Sequence, residues 1–131
     1  MEPSKPTILV VDGELGILKL LTNALRTYGF GVLTANEGNK AIETFLRHRS
    51  GIELVLLDVH MPGWDGAKTL IELQRIDPAV LVAFMSATPS EFTSVELLGL
   101  GVVHVFEKPF LSLEDLADTL KKLIAKKNRI D

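Results

Sequence analysis

The chain has 131 residues, no cysteine and a formal net charge of −3, with 47% hydrophobic and 24% charged residues. That is enough for one domain with a proper core. It excludes disulfides and thiolate metal sites, fits a reducing, cytoplasmic setting, and offers no overall positive field to draw nucleic acid.

The N-terminal residues through Thr7 are polar and carry two prolines, and the apolar run that follows stops at Asp12. Neither a signal peptide nor a membrane span is expected there. Ile8–Val11 is the first predicted strand, ending in Asp12-Gly13-Glu14. From Leu15 to Tyr28 apolar residues recur at Leu18, Leu21, Leu25 and Tyr28, a helical stripe that Gly29 closes. Gly31–Ala35 reads as a second strand. After a turn at Asn36–Gly38, Ala41, Ile42, Phe45 and Leu46 mark a second helix ending near His48.

Leu54–Leu57 is too short for a helix and runs through Asp58 into a Met61-Pro62-Gly63 turn, the pattern of a strand buried on both faces. Asp65 or Gly66 opens a third helix, with Leu70, Leu73 and Ile76 on one side and Pro78 as its stop. Leu81–Met85 is the fourth strand. Ser90 is the expected N-cap of a short helix through Leu98, and Val102–Phe106 the fifth strand. Ser112, with Asp115 three residues on, opens a last helix carrying Leu116, Leu120, Leu123 and Ile124. The cations Lys121, Lys122, Lys126, Lys127 and Arg129 read as a solvated face complementing the helix dipole. Alternation of strands and helices predicts an α/β fold, a doubly wound five-stranded parallel sheet with helices on both faces. It is one domain over residues 7–127, with short tails at 1–6 and 128–131.

In such sheets chemistry collects at the carboxyl ends of the strands. Those ends carry Asp12, Asp58, Ser86 and Lys108. Each alone has a bland reading: a helix-starting acid, a turn-forming acid, a turn former, a surface lysine. Together they point to a site. Two neighbouring carboxylates repel unless a cation lies between them, and oxygen ligands suit a hard ion such as magnesium. A hydroxyl and an ammonium beside a nucleophilic carboxylate suit a phosphoryl group, whose oxygens they neutralise.

Ile8-Leu9-Val10-Val11-Asp12, Asp58-Val59-His60-Met61-Pro62-Gly63-Trp64-Asp65-Gly66, Ser86-Ala87 and Lys108-Pro109-Phe110 resemble, in order and spacing, the signature segments of response regulator receiver domains. The resemblance covers Thr7 to about Lys127 and implies a flavodoxin-like sheet in the order 2-1-3-4-5. It implies that Asp58 accepts a phosphoryl group from a sensor histidine kinase or phosphotransfer protein. Ser86 and Lys108 would contact the phosphoryl oxygens, and Asp12, Asp58 and the His60 backbone carbonyl would hold magnesium. A cis peptide at Lys108-Pro109 is also implied. On this reading the chain is a cytoplasmic switch rather than an enzyme, with no direct nucleic-acid or membrane contact. It stands alone or forms a piece of a longer protein.

Two departures stand out. The family places a second acid, the direct metal ligand, after Asp12; here it is Gly13. Magnesium manages with one or two carboxylates, so weakened binding is expected, with Glu14 a further candidate ligand because glycine loosens the loop. Trp64 should lie near that pocket. The family also places an aromatic three residues before the lysine; here it is Val105, and Phe106 should face the opposite side. The face formed by the fourth helix, fifth strand and fifth helix is therefore expected to be remodelled. Leu97, Leu98, Leu100 and Val105 would offer an apolar patch for a partner or a homodimer. The alternative is a phosphorylation-independent pseudo-receiver acting as a protein-interaction module. A flavin-binding relative would need a phosphate cradle after the first strand, where this chain is acidic. Asp58-x-His60-x-x-Gly63 spells a corrinoid-binding motif without its partner segments, a coincidence. His48 and His104 read as surface residues.

Overall fold

The apolar run after Pro6 forms strand β1 (Thr7–Val11), buried from Ile8 onward. In the computed structural model, which describes residues 5–61, 63–87 and 93–129, four further strands join it. They are β2 (Gly31–Ala35), β3 (Ile52–Asp58), β4 (Val82–Ala87) and β5 (His104–Lys108). All pair in parallel in the order β2-β1-β3-β4-β5, the order the resemblance implies. Helices α1 (Leu15–Thr27), α2 (Gly38–His48), α3 (Gly66–Ile76), α4 (Ser94–Leu98) and α5 (Leu113–Arg129) carry the crossovers.

Strand alternation divides the core in two. On one face Ile8, Val10, Leu54, Leu56, Met85 and Phe106 meet the apolar stripes of α1 and α5. On the other, Leu9, Val11, Val55, Leu57 and Phe84 meet α2, α3 and Leu97 of α4. Leu54–Leu57, predicted to be buried on both faces, is fully enclosed. Phe106 and Val105 fall on opposite faces, as expected.

Several boundaries differ from the sequence reading. Strand β3 is longer at both ends, so Asp58 is its last residue. Strand β5 begins at His104, two residues later than expected, because the chain first turns through Gly101 at φ +95° before the Val103 amide donates to the Val82 carbonyl at 2.8 Å. The expected N-cap Ser90 lies outside the described residues. Among those described, α4 starts at Ser94, where Thr93 and Glu96 close a reciprocal capping box. Leu97 is core rather than surface, whereas Leu98 and Leu100 are about half exposed. His104 is half-buried with its ring 4.4 Å from that of Phe106, and burial lowers its pKa; it is not the surface residue expected. His48 is exposed at the end of α2. Among the described residues no helix is long and apolar enough to cross a membrane.

Helix α4 has so few residues that its cap is a large part of its stability. Thr93→Ala is expected to cost about 1 kcal/mol in equilibrium unfolding, with amide exchange accelerating chiefly in α4.

Candidate functional site

The alternation that builds the α1/α5 face of the core also ends three of the strands on a polar residue of that face. Ile8 and Val10 precede Asp12, Leu54 and Leu56 precede Asp58, and Phe106 precedes Lys108, each two residues apart. Because the strands are parallel, all three polar side chains emerge at one end of the sheet, on one face. Asp12 is wholly buried and Asp58 nearly so, so charge compensation is obligatory. Lys108 supplies it: its Nζ is hydrogen-bonded to Asp12 Oδ2 and stands 3.6 Å from Asp58 Oδ2. The remaining oxygens take backbone donors. The Glu14 amide donates to Asp12 Oδ1 at 2.8 Å, and the His60 amide to Asp58 Oδ1 at 3.1 Å.

Burial pushes the Asp58 pKa up from 3.8 to about 6. The neighbouring ammonium of Lys108 pulls it down, the Asp12 charge pushes it up, and the His60 amide lowers it again. Asp58 is therefore ionised at neutral pH, with Lys108 and the His60 amide offsetting part of the cost of burial.

Ser86 sits at the next strand tip, one residue past Met85, the β4 partner of Asp58. Its buried hydroxyl is 3.5 Å from the Ala87 carbonyl and is not hydrogen-bonded to Asp58. By alternation it belongs to the other face of β4. The structure thus joins Asp12, Asp58 and Lys108 directly and leaves Ser86 at the neighbouring strand tip, outside the cluster. Glu14 is exposed and flanks α1 without a side-chain cap bond; only its backbone reaches the cluster. Among the described residues no group of three His, Cys, Asp or Glu side chains could hold a metal. The donors that fit magnesium are two carboxylates and the His60 carbonyl, all hard oxygen, at the lower limit of what that ion accepts. The Lys108-Pro109 peptide is cis.

The loop from β3 to α3 is set by Gly66, Asp65 and Trp64, and the N-cap at Asp65 is the helix start that the sequence predicted. A Cβ on Gly66 would lie 2.7 Å from the Asp58 carbonyl oxygen and 2.8 Å from Val59 Cα, so only glycine lets α3 start this close to Asp58. The Gly66 amide donates to the Val59 carbonyl at 3.0 Å, and Asp65 caps α3 through the Lys68 amide at 2.9 Å. Trp64 turns towards α2, with Lys68 Nζ 4.3 Å from its ring centroid.

Residues 8–121 match the sequence profile of the response regulator receiver domain. The chain is 38% identical over 124 residues to the transcriptional regulatory protein ZraR of Escherichia coli (strain K12), covering 95% of this chain and 27% of that protein. It is 32% identical over 121 residues to sporulation initiation phosphotransferase F of Bacillus subtilis (strain 168), covering 92% of this chain and 95% of that one. A response regulator receiver domain protein from Clostridium thermocellum superposes with a TM-score of 0.87 at 26% identity, over 95% of this chain and 98% of that one. A chain of the CheX-CheY-BeF3-Mg+2 complex from Borrelia burgdorferi gives 0.81 at 27% identity, over 89% and 87%. The profile match runs from β1 into α5 and takes in every residue of the carboxylate–ammonium cluster, and on that ground the chain belongs to the response regulator receiver domain family.

Proposed function

We propose that Asp58 is a phosphoryl acceptor and that the chain works as a cytoplasmic signalling switch, charged by a sensor histidine kinase or a phosphotransfer protein. The observation that carries this reading is the Lys108 ammonium 3.6 Å from Asp58 Oδ2, anchored on Asp12. A carboxylate oxygen of Asp58 attacks the phosphorus of a phosphohistidine in line. The phosphorus–nitrogen bond breaks with its electron pair on the imidazole, which takes a proton from solvent, and an acyl phosphate forms on Asp58. Lys108 neutralises charge on the transferring group. Ser86, one residue past the strand position paired with Asp58, contacts a phosphoryl oxygen once its hydroxyl turns from the Ala87 carbonyl towards Asp58.

Asp12, Asp58 and the His60 carbonyl would hold magnesium, whose charge neutralises phosphoryl oxygens when it is bound. Gly13 leaves that ion one acid fewer than the family's usual set, and weakened binding follows. Output is placed at α4, β5 and α5, where Leu98 and Leu100 are exposed and Val105 stands where the family has an aromatic; a homodimer through this face is one form it takes. The transcriptional role in the name of ZraR belongs to a protein of which the chain spans 27%. DNA contact is not assigned to this domain.

The competing reading, a pseudo-receiver that never takes phosphate, draws on the same Gly13. Incubation with acetyl phosphate and magnesium separates the two. The expected result is a phosphoryl adduct on Asp58 by mass spectrometry, absent from Asp58→Asn, with the magnesium requirement falling about tenfold in Gly13→Asp. An unlabelled wild-type chain at saturating magnesium would leave only the pseudo-receiver.

A further inference from the structure

The first residue of α2 has no contact with the carboxylate–ammonium cluster, yet it is wedged against the loop that leaves Asp58. A Cβ on Gly38 would lie 2.2 Å from Thr69 Oγ1, 2.6 Å from Trp64 Cβ and 3.2 Å from the Trp64 carbonyl oxygen. The first two distances are shorter than real side chains tolerate, so the neighbours would have to move. Neither is a loose end. Thr69 is fully buried, and its hydroxyl donates to the Asp65 carbonyl at 2.9 Å. The contact on Trp64 is at its Cβ, which moves only with the backbone.

The other end of the same loop is equally fixed. Gly66 abuts the Asp58 carbonyl and Val59, and its amide is bonded to Val59. Of the described loop residues, Val59 is therefore held by the close approach of Gly66 and Trp64 by the close approach of Gly38, with His60 next to the first. Gly38 lies outside the left-handed region of backbone space, so alanine meets no torsional strain there, and its helix propensity favours it. Any harm from Gly38→Ala is steric and is delivered to the loop.

We propose that Gly38 is a positioning residue: the missing Cβ is the seat of Trp64 and Thr69, and through them α2 sets where His60 and its carbonyl stand relative to Asp58. The functional half of this rests on the assignment of Asp58 as phosphoryl acceptor; the geometric half does not. A displacement of the order of an ångström at such a site lowers rates by one to two powers of ten.

The test compares wild type, Gly38→Ala, Gly38→Ala combined with Thr69→Ala, and Gly16→Ala. Gly16 is a matched control in the first turn of α1, where an added Cβ meets nothing within 4 Å. Three signals are read: emission of Trp64, the only tryptophan of the chain; the amide resonance of His60, which reports its bond to Asp58; and phosphoryl uptake from acetyl phosphate. Gly38→Ala is expected to shift the first two and slow uptake about tenfold. The double variant, which removes the tightest contact, should recover part of all three, and Gly16→Ala should match wild type. If Gly38→Ala does not fold, Thr69→Ala alone, which loosens the seat without adding atoms, should move the Trp64 and His60 signals. Unchanged Trp64 and His60 signals in a folded Gly38→Ala protein would overturn the proposal, as would a Gly16→Ala protein that behaves like it. If wild type takes up no phosphate while Gly38→Ala still shifts both spectroscopic signals, it is the acceptor assignment that fails and the positioning role that stands.

Discussion

Lys108→Met is expected to destabilise the protein by about 3 kcal/mol at pH 8 without divalent metal. Methionine keeps the apolar stem and removes the ammonium, so the loss is electrostatic. It leaves Asp12, wholly buried, and Asp58, nearly so, facing each other without the cation that both now face. Asp58 then titrates above its present value of about 6, since Lys108 is what most opposes the upward push of burial. Two treatments should reverse much of the loss. Lowering the pH protonates Asp58 and ends the repulsion. Millimolar magnesium supplies another cation to the same oxygens and stabilises the folded state by mass action. Urea titrations at pH 8 and pH 5, each with chelator or magnesium, check this. A loss of the same size under all four conditions would mean that Lys108 matters only as packing.

Asp58→Asn is expected to act in the opposite direction on stability, gaining about 2–3 kcal/mol at pH 8 while abolishing phosphoryl uptake. Burial raises the folded-state pKa from 3.8 to about 6. A carboxyl that holds its proton more tightly when folded opposes folding once ionised. The penalty is absent below about pH 3.8, grows between 3.8 and 6, and is complete above 6. Asparagine keeps the shape and still accepts the His60 amide, and it is never charged. The gain should therefore be large at pH 8 and vanish near pH 3.5. By the same titration, uptake by the wild type should rise with pH through about 6 as the nucleophile ionises. Denaturation of both proteins across this range, beside the pH profile of labelling, gives both answers. The acceptor is kept at a cost to the fold, a familiar trade at functional sites.

What the sequence revealed of this site follows from the two-residue period of its strands. Ile8-Val10-Asp12, Leu54-Leu56-Asp58 and Phe106-Lys108 each read as a core face ending in a polar residue, and parallel connections carry those ends to one edge. The same alternation pointed His104 inward with Phe106, yet as a lone polar residue near a strand start it read as surface. The end of α4 at Leu98 was legible, but five residues are under two turns, too short for a stripe to separate buried Leu97 from exposed Leu98. Its real start was legible: Thr93 and Glu96 have the spacing of a capping box. Gly38, Gly66 and Thr69 could not be found this way. A glycine at a helix start reads as a turn or an opening residue, and nothing in one chain says that other atoms fill the space its Cβ would take. Nor does a buried helical threonine differ from an exposed one in sequence.

The bond from Lys108 to Asp12 joins positions 96 apart in the chain, reaching from the edge strand β5 across β4 and β3 to β1. Only a fragment that runs from β1 through β5 holds both, and neither carboxylate meets the ammonium until the last strand has docked. A nascent polypeptide without β5, however native its first half, thus lacks the cation that both carboxylates face. Completion of the charge cluster and completion of the sheet are one event.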